Sequence, residues 1–277
     1  MHTQWAGLSL VSVDLRPTTL GQLLDDLDAE NEDLDGLVAS IEASDWDLPT
    51  PAAGWAVRDQ MSHLAFFDDA AVLAMTAPTA FAAMVDSAMA AADPMEEHLR
   101  RGRALTGSAL MTWWRGGREA LLIAARTLPD GARVPWFGPP MGALSFVSAR
   151  LMETWAHGED VADALGVQRV PTERLRHIAH LGVRTRPYSY AVRGIEPPPS
   201  PVDVALTGPA DELWAWGDSG GDCVRGSALE FCLVVTQRRN ISDTGLVVEG
   251  EAAAEWMAIA QAFAGPPGSG RPSRLGT

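Results

Sequence analysis

The sequence predicts two domains, an α-helical bundle followed by a smaller α/β domain. Three observations carry that reading: a helical period through the first two thirds of the chain, a proline-rich joint at 197–201, and a change to a period of two beyond it. The length agrees: 277 residues are many for one hydrophobic core and comfortable for two, because domains commonly run to about 100–200 residues.

The first helix is marked by Leu20, Leu24, Leu27, Leu34, Leu37 or Val38, and Ile41, which recur every three or four positions while Asp and Glu fill the other faces. A break rich in proline and small residues at 48–54 ends it, and a second helix is predicted over 55–75. Weaker helical segments cover 80–91 and 95–128, the latter with a candidate break at Gly116 and Gly117. The loop 129–142, with Pro135, Pro139 and Pro140, closes them. A strongly periodic helix is predicted over 143–165, with Leu144, Val147, Leu151, Trp155, Gly158 and Val161 as its buried stripe, and another over 172–193.

Residues 197–201, four of them proline, suit neither a helix nor a central strand and read as a stiff connector. The bundle is therefore assigned to 14–194 and the α/β domain to 202–264. In the second domain Val202, Val204 and Leu206 alternate with polar or small residues, and Leu213, Ala215 and Gly217 follow a turn at 208–211. A helix over 227–239, a strand over 246–248 and a helix over 251–263 follow. Residues 265–277, rich in Gly, Pro, Ser and Arg, read as a disordered tail.

Composition narrows the function. Acidic residues outnumber basic ones 36 to 21, a formal net charge of −15 that would repel a nucleic-acid backbone, and no arginine cluster offsets it. The most apolar stretch, 70–85, is interrupted by Thr76, Pro78 and Thr79 and is too short to span a bilayer, and residues 1–13 lack the pattern of an export signal. The expectation is a cytoplasmic protein acting on a small molecule, with no nucleic-acid or membrane partner. Cys223 and Cys232, in no metal-binding spacing, are then reduced structural thiols.

Glu153 and His157 stand four apart on the helix predicted over 143–165, so both project from one face, one turn apart. His63, mid-helix beside Leu64 and Phe67, is the candidate third ligand from a neighbouring helix, since an imidazole in that setting needs a partner. Two imidazoles and one carboxylate leave a divalent ion with vacant positions, as in catalytic zinc sites. The spacing by itself favours a second reading: a core histidine at 63 and a surface pair at 153 and 157.

Trp55, Val57, Arg58, Asp59, Gln60, His63 and Leu64, followed far downstream by Glu153, Trp155, His157, Gly158, Asp160 and Val161, resemble the two metal motifs of the DinB-like superfamily. Within it the chain is most similar to the mycothiol-dependent maleylpyruvate isomerase family and an actinobacterial metal-binding branch related to it. The resemblance covers most of the chain and implies an N-terminal DinB-like four-helix bundle with a smaller C-terminal α/β domain. It places His63, Glu153 and His157 at the three metal-ligand positions, with Zn2+ as the expected ion and mycothiol as a possible thiol cofactor. It also implies a catalytic arginine near the end of the helix at 227–239, matched by Arg238 or by Arg239. The family's glycine before that arginine is Gln237 here, and the C-terminal helix dipole alone accounts for both arginines.

Other residues keep two readings. Asp160, one turn beyond His157, is either an outer-shell carboxylate for its ring or a solvated helix residue. His177 and His180 are either a second ligand pair or packing histidines, and Trp113, Trp114, Trp136, Trp155, Trp214 and Trp216 either line a pocket or fill cores. The resemblance implies a metal-dependent, thiol-dependent isomerase or transferase acting on a small unsaturated acid. The alternatives are a thiol-independent metal-assisted cyclase, lyase or hydrolase acting on a specialised metabolite, and a non-catalytic metal- or ligand-binding protein.

Overall fold

The computed structural model describes residues 18–90, 96–218 and 220–274. Residues 1–13, read above for an export signal, lie outside the described residues, as do 14–17 at the start of the assigned bundle, Met95 and 275–277. The chain divides into two compact units, Thr18–Val170 and the chain from Pro171 onward.

The first unit contains helices α1 (Leu20–Val38), α2 (Val57–Thr76), α3 (Pro78–Ala90), α4 (Glu96–Arg103) and α5 (Gly107–Arg126). A two-stranded antiparallel hairpin, β1 (Arg133–Val134) and β2 (Met141–Gly142), then leads into α6 (Ala143–Leu165). Thr19 starts α1 with a capping box: its hydroxyl accepts from the Gln22 amide, and the Gln22 side chain accepts from the Thr19 amide. Helices α1, α2, α5 and α6 form a four-helix bundle in which α1 and α2 each pack against α5 and α6. Leu34, Val57, Met61, Leu64, Leu110, Trp114 and Val161 share one buried core cluster. Ion pairs tie the helices: Arg150 of α6 meets Asp68 of α2 at 2.8 Å, Arg115 and Arg118 of α5 meet Asp35 of α1, and Arg169 just past α6 meets Glu30 of α1.

Two expectations in this unit need correction. The segment at 95–128 breaks at 104–106, where the Thr106 hydroxyl caps α5 by accepting from the Ala109 amide, and it runs straight through Gly116 and Gly117. Gly117 is a packing residue, since a Cβ there would come within 3.4 Å of Asp68 Cβ on α2. Leu144, placed in the buried stripe of α6, is exposed in the first turn; Val147, Leu151, Trp155 and Val161 are buried as expected.

The second unit holds α7 (Leu175–Arg184), α8 (Arg186–Ala191), β3 (Val202–Thr207), β4 (Leu213–Trp216), β5 (Asp222–Ser227), α9 (Ala228–Val235), β6 (Val247–Glu249) and α10 (Glu251–Ile259). The sheet order is β4-β3-β5-β6, with β3 and β5 parallel and the outer pairs antiparallel. The chain passes from β4 to β5 across the start of β3. Gly217 makes this possible: its φ is 83°, and a Cβ there would lie 2.3 Å from Asp203 Oδ1.

The units therefore divide at Val170/Pro171, ahead of the joint assigned to 197–201. The reason is packing. Helix α7 lies against α9, with the buried Leu175, Ile178 and Ala179 on it, and a Cβ on Gly182 would meet Val235 and Phe231. The predicted helix over 172–193 is two helices meeting at Thr185, with Pro187 in the first turn of α8. Strand β5 was not anticipated. Residues 265–274 are not a disordered tail: Arg271 Nε donates to the Gln237 carbonyl, and the Ser273 hydroxyl and the Arg274 amide donate to Asp243. Among the described residues no helix is long and apolar enough to cross a membrane, and both cysteines are free and buried.

Candidate metal centre

His63 lies in α2 and Glu153 and His157 in α6, so the packing of these two helices decides whether the three meet. They do: one ligand atom from each lies within 4.8 Å of the others, the one such group among the described residues. Glu153 Oε2 is 3.2 Å from His157 Nε2 and 3.8 Å from His63 Nε2. A tetrahedral ion with ligand bonds of about 2.0–2.1 Å sets its donors about 3.4 Å apart, a value between the two distances from Glu153 Oε2. Burial pushes the Glu153 carboxyl up, but the hydrogen bonds and charges of His157 and His63 outweigh it and hold the group well below the usual carboxylate range.

The far side of His157 is equally built. Its Nδ1 meets Gln60 Oε1 of α2 at 2.5 Å. The Gln60 Nε2 donates to the Thr50 hydroxyl at 2.8 Å, and that hydroxyl donates to the Trp55 carbonyl at 2.9 Å. Each step fixes the next: a hydroxyl that donates to Trp55 must accept from the Gln60 NH2, which turns the Gln60 carbonyl toward Nδ1. Nδ1 therefore carries a proton, and in the neutral ring Nε2 presents a lone pair. A lone pair facing a carboxylate at 3.2 Å is repulsive unless a positive centre, a metal ion or a second ring proton, lies between them, and a divalent ion in that place would meet donors from all three residues.

Aromatic rings surround the donors. The Trp55 ring stacks on His157 at 6.0 Å and 15°, and Phe67 contacts His63 at 4.5 Å. Behind Phe67 stand Trp136 and Phe137 from the loop between β1 and β2, with Phe81 of α3 stacked on Trp136 at 5.7 Å and 6°. The nearest arginine in the sequence motif, Arg58, is turned to Asp47 at 2.7 Å and to the Leu105 carbonyl.

The structure thus brings together His63, Glu153 and His157. The outer-shell role that one reading gave Asp160 falls to Gln60, whose side-chain carbonyl accepts the His157 Nδ1 proton; Asp160 is buried on α6, not solvated as the other reading had it. Sequence reasoning missed Gln60, although its position one turn before His63 puts both on one face of α2. Phe67 shares α2 with His63, but the approach of Thr50, Trp136 and Phe137 could not be read, because loops bring them in. Arg238 belongs to the second unit, just past α9, where its Nη1 donates to the Thr236 carbonyl; Arg239 Nη1 donates to the Arg238 carbonyl. The exposed His180 accepts at Nδ1 from Trp216 Nε1 at 3.1 Å, and its pKa is lowered by partial burial and by Arg184. Trp114, Trp155 and Trp214 are core residues.

Comparison with known proteins agrees with this architecture. Residues 27–162 match the profile described as the mycothiol maleylpyruvate isomerase N-terminal domain. The chain is 48% identical over 255 residues to an uncharacterized protein of Mycobacterium tuberculosis, found in two strains, covering 91% of this chain and 98% of that one. The crystal structure of the mycothiol-dependent maleylpyruvate isomerase superposes with a TM-score of 0.59 at 15% identity, over 84% of this chain and 93% of that one. A histidine-to-alanine mutant of that isomerase superposes at 0.55, over 80% and 90%. The chain belongs to the DinB-like superfamily and, within it, to the mycothiol maleylpyruvate isomerase-like family.

Proposed function

We propose that this protein is a divalent-metal-dependent enzyme that uses a low-molecular-weight thiol to isomerise or transfer a small unsaturated acid. The observation that carries the metal is the convergence of His63, Glu153 and His157 within 4.8 Å, with the His157 tautomer set from behind by Gln60. Three protein ligands leave a position for an exogenous one, and the N2O donor set suits Zn2+. A divalent ion held there supplies Lewis acidity, which makes a thiol or water available as its anion at neutral pH.

The protein's own residues do the rest. Glu153 would offset part of the ion's charge and His63 would complete the ligand face, while Gln60 would keep His157 Nε2 aimed at the centre. Phe67 stands beside His63 with Trp136 and Phe137 behind it, an apolar wall on that side. For a substrate carboxylate the proposed partner is Arg238, whose guanidinium offers a forked pair of donors. Arg238→Lys, which keeps charge and loses the fork, should then raise KM or lower kcat while leaving metal content unchanged.

The thiol rests on the dependence of the solved relative on mycothiol. The deciding experiment is elemental analysis of the purified protein together with turnover of unsaturated diacids with and without mycothiol. Metal-free protein, or turnover untouched by chelation, would end the metal reading. Metal-dependent turnover indifferent to thiol would favour a thiol-independent cyclase, lyase or hydrolase. The aromatic wall beside His63 supports that second reading, because it suits a substrate more apolar than a diacid.

A further inference from the structure

The second unit contains a cavity of about 200 Å³ with no place in the chemistry above. It lies where the chain leaves α8, α9 and α10, and residues 268–271 of the C-terminal segment close it. Arg193, Arg239 and Arg271 line it together with the amides Gln237 and Asn240 and the apolar Met257, and no acidic residue lines it. In a chain of net charge −15, three arginines lining one small cavity are a local reversal of sign.

The arginines are positioned and not merely gathered. Arg193 Nη1 donates to the Ser189 carbonyl and to Oε1 of the buried Gln261, and its Nη2 donates to the Gly268 carbonyl, so its hydrogen bonds end on neutral oxygens. Arg271 is clamped at both ends: its Nε donates to the Gln237 carbonyl, and its own carbonyl accepts from Asn240 Nδ2. Gln237 can offer that carbonyl because its φ of 58° reverses the chain directly after α9. Its side chain meanwhile holds the Ala260 carbonyl past α10. The Arg193 charge, bonded to neutral oxygens, favours an anion beside it.

We propose that this cavity binds a small, compact oxyanion, a carboxylate or a phosphate, recognised by Arg193 and Arg271 with Arg239 and Asn240 completing the shell. Forked guanidinium donors match the paired oxygens of either group. The volume is below the roughly 300–1,000 Å³ of pockets for drug-sized ligands, so a nucleotide is too large and a short-chain dicarboxylate or inorganic phosphate fits. The inference does not use the metal centre.

The test is titration calorimetry of the full-length, metal-loaded protein with three probes: inorganic phosphate, succinate and the neutral succinamide. The expected result is saturable one-to-one binding of phosphate, succinate or both, none of succinamide, and a loss of at least tenfold in affinity in Arg193→Gln and Arg271→Gln with metal content unchanged. Phosphate against succinate identifies the source of the anion. Absence of saturable anion binding to the wild-type protein overturns the proposal, as does equal binding by folded Arg193→Gln and Arg271→Gln. Should either glutamine variant fail to fold, Arg271→Lys and the wild-type titrations decide by the same criteria. Because metal content is measured on the same samples, failure here is separable from failure of the proposed enzymatic reading.

Discussion

The Gln60 relay makes a prediction whose sign depends on the chemistry of the replacement. Gln60→Leu keeps nearly the same volume at a fully buried position and leaves the Thr50 hydroxyl its bond to Trp55. It deprives His157 Nδ1 of its acceptor. An orphaned buried donor costs about 1–3 kcal/mol, and the ring is then free to exchange tautomers or turn away from Glu153. Loss of an outer-shell partner typically costs 10–100-fold in metal affinity, about 1.4–2.7 kcal/mol. Gln60→Glu should behave in the opposite way, because a carboxylate accepts the same Nδ1 proton, can accept from Thr50, and makes the imidazole a stronger ligand. The assay is competition for Zn2+ against a chromophoric chelator, with circular dichroism to confirm the fold. Metal affinity within twofold of wild type in Gln60→Leu, or an equal loss in Gln60→Leu and Gln60→Glu, would refute the relay.

Further outcomes follow from the same structure. Single replacement of His63, Glu153 or His157 by Ala should cut metal content severely while leaving helicity largely intact; full occupancy in all three variants would remove the site. Arg150→Met strands the buried Asp68 and should destabilise by about 3–5 kcal/mol at neutral pH, measured by urea unfolding. Burial raises the Asp68 pKa even with Arg150 present, so its contribution is favourable below the unfolded-state pKa and is lost as pH rises through the folded value. Removing Arg150 raises the folded value further, and the deficit should shrink on acidification. Gly158→Ala would place a Cβ 2.8 Å from Arg169 Nη1 and dislodge Arg169 from Glu30. It should cost about 1–3 kcal/mol and be non-additive with Arg169→Ala in a double-mutant cycle. Brief proteolysis should cut at 167–172, where Val170 is 83% exposed, before 197–201, where Arg186 holds the carbonyls of Pro198 and Ser200. The reverse order would put the joint back at the prolines.

What the sequence determined by itself is what repeats or is local. The period of α6 and the four-residue step from Glu153 to His157 are properties of one helix, so its bounds and the two ligands on one face were legible without a partner. The same holds for α1 with its apolar period and for β3 with its alternation. Tertiary structure decided what needs two segments at once. Whether His63 joins Glu153 depends on the packing of α2 on α6, and spacing left this open until the motif resemblance spoke. Gln60 gains a role only because His157 arrives from another helix and Thr50 from a loop. The division at Val170/Pro171 depends on α7 burying its apolar face against α9, a contact between residues some fifty positions apart that outweighs the local stiffness of four prolines. Local propensity sets where an element begins and ends, and burial, which no single segment can achieve alone, sets what it belongs to.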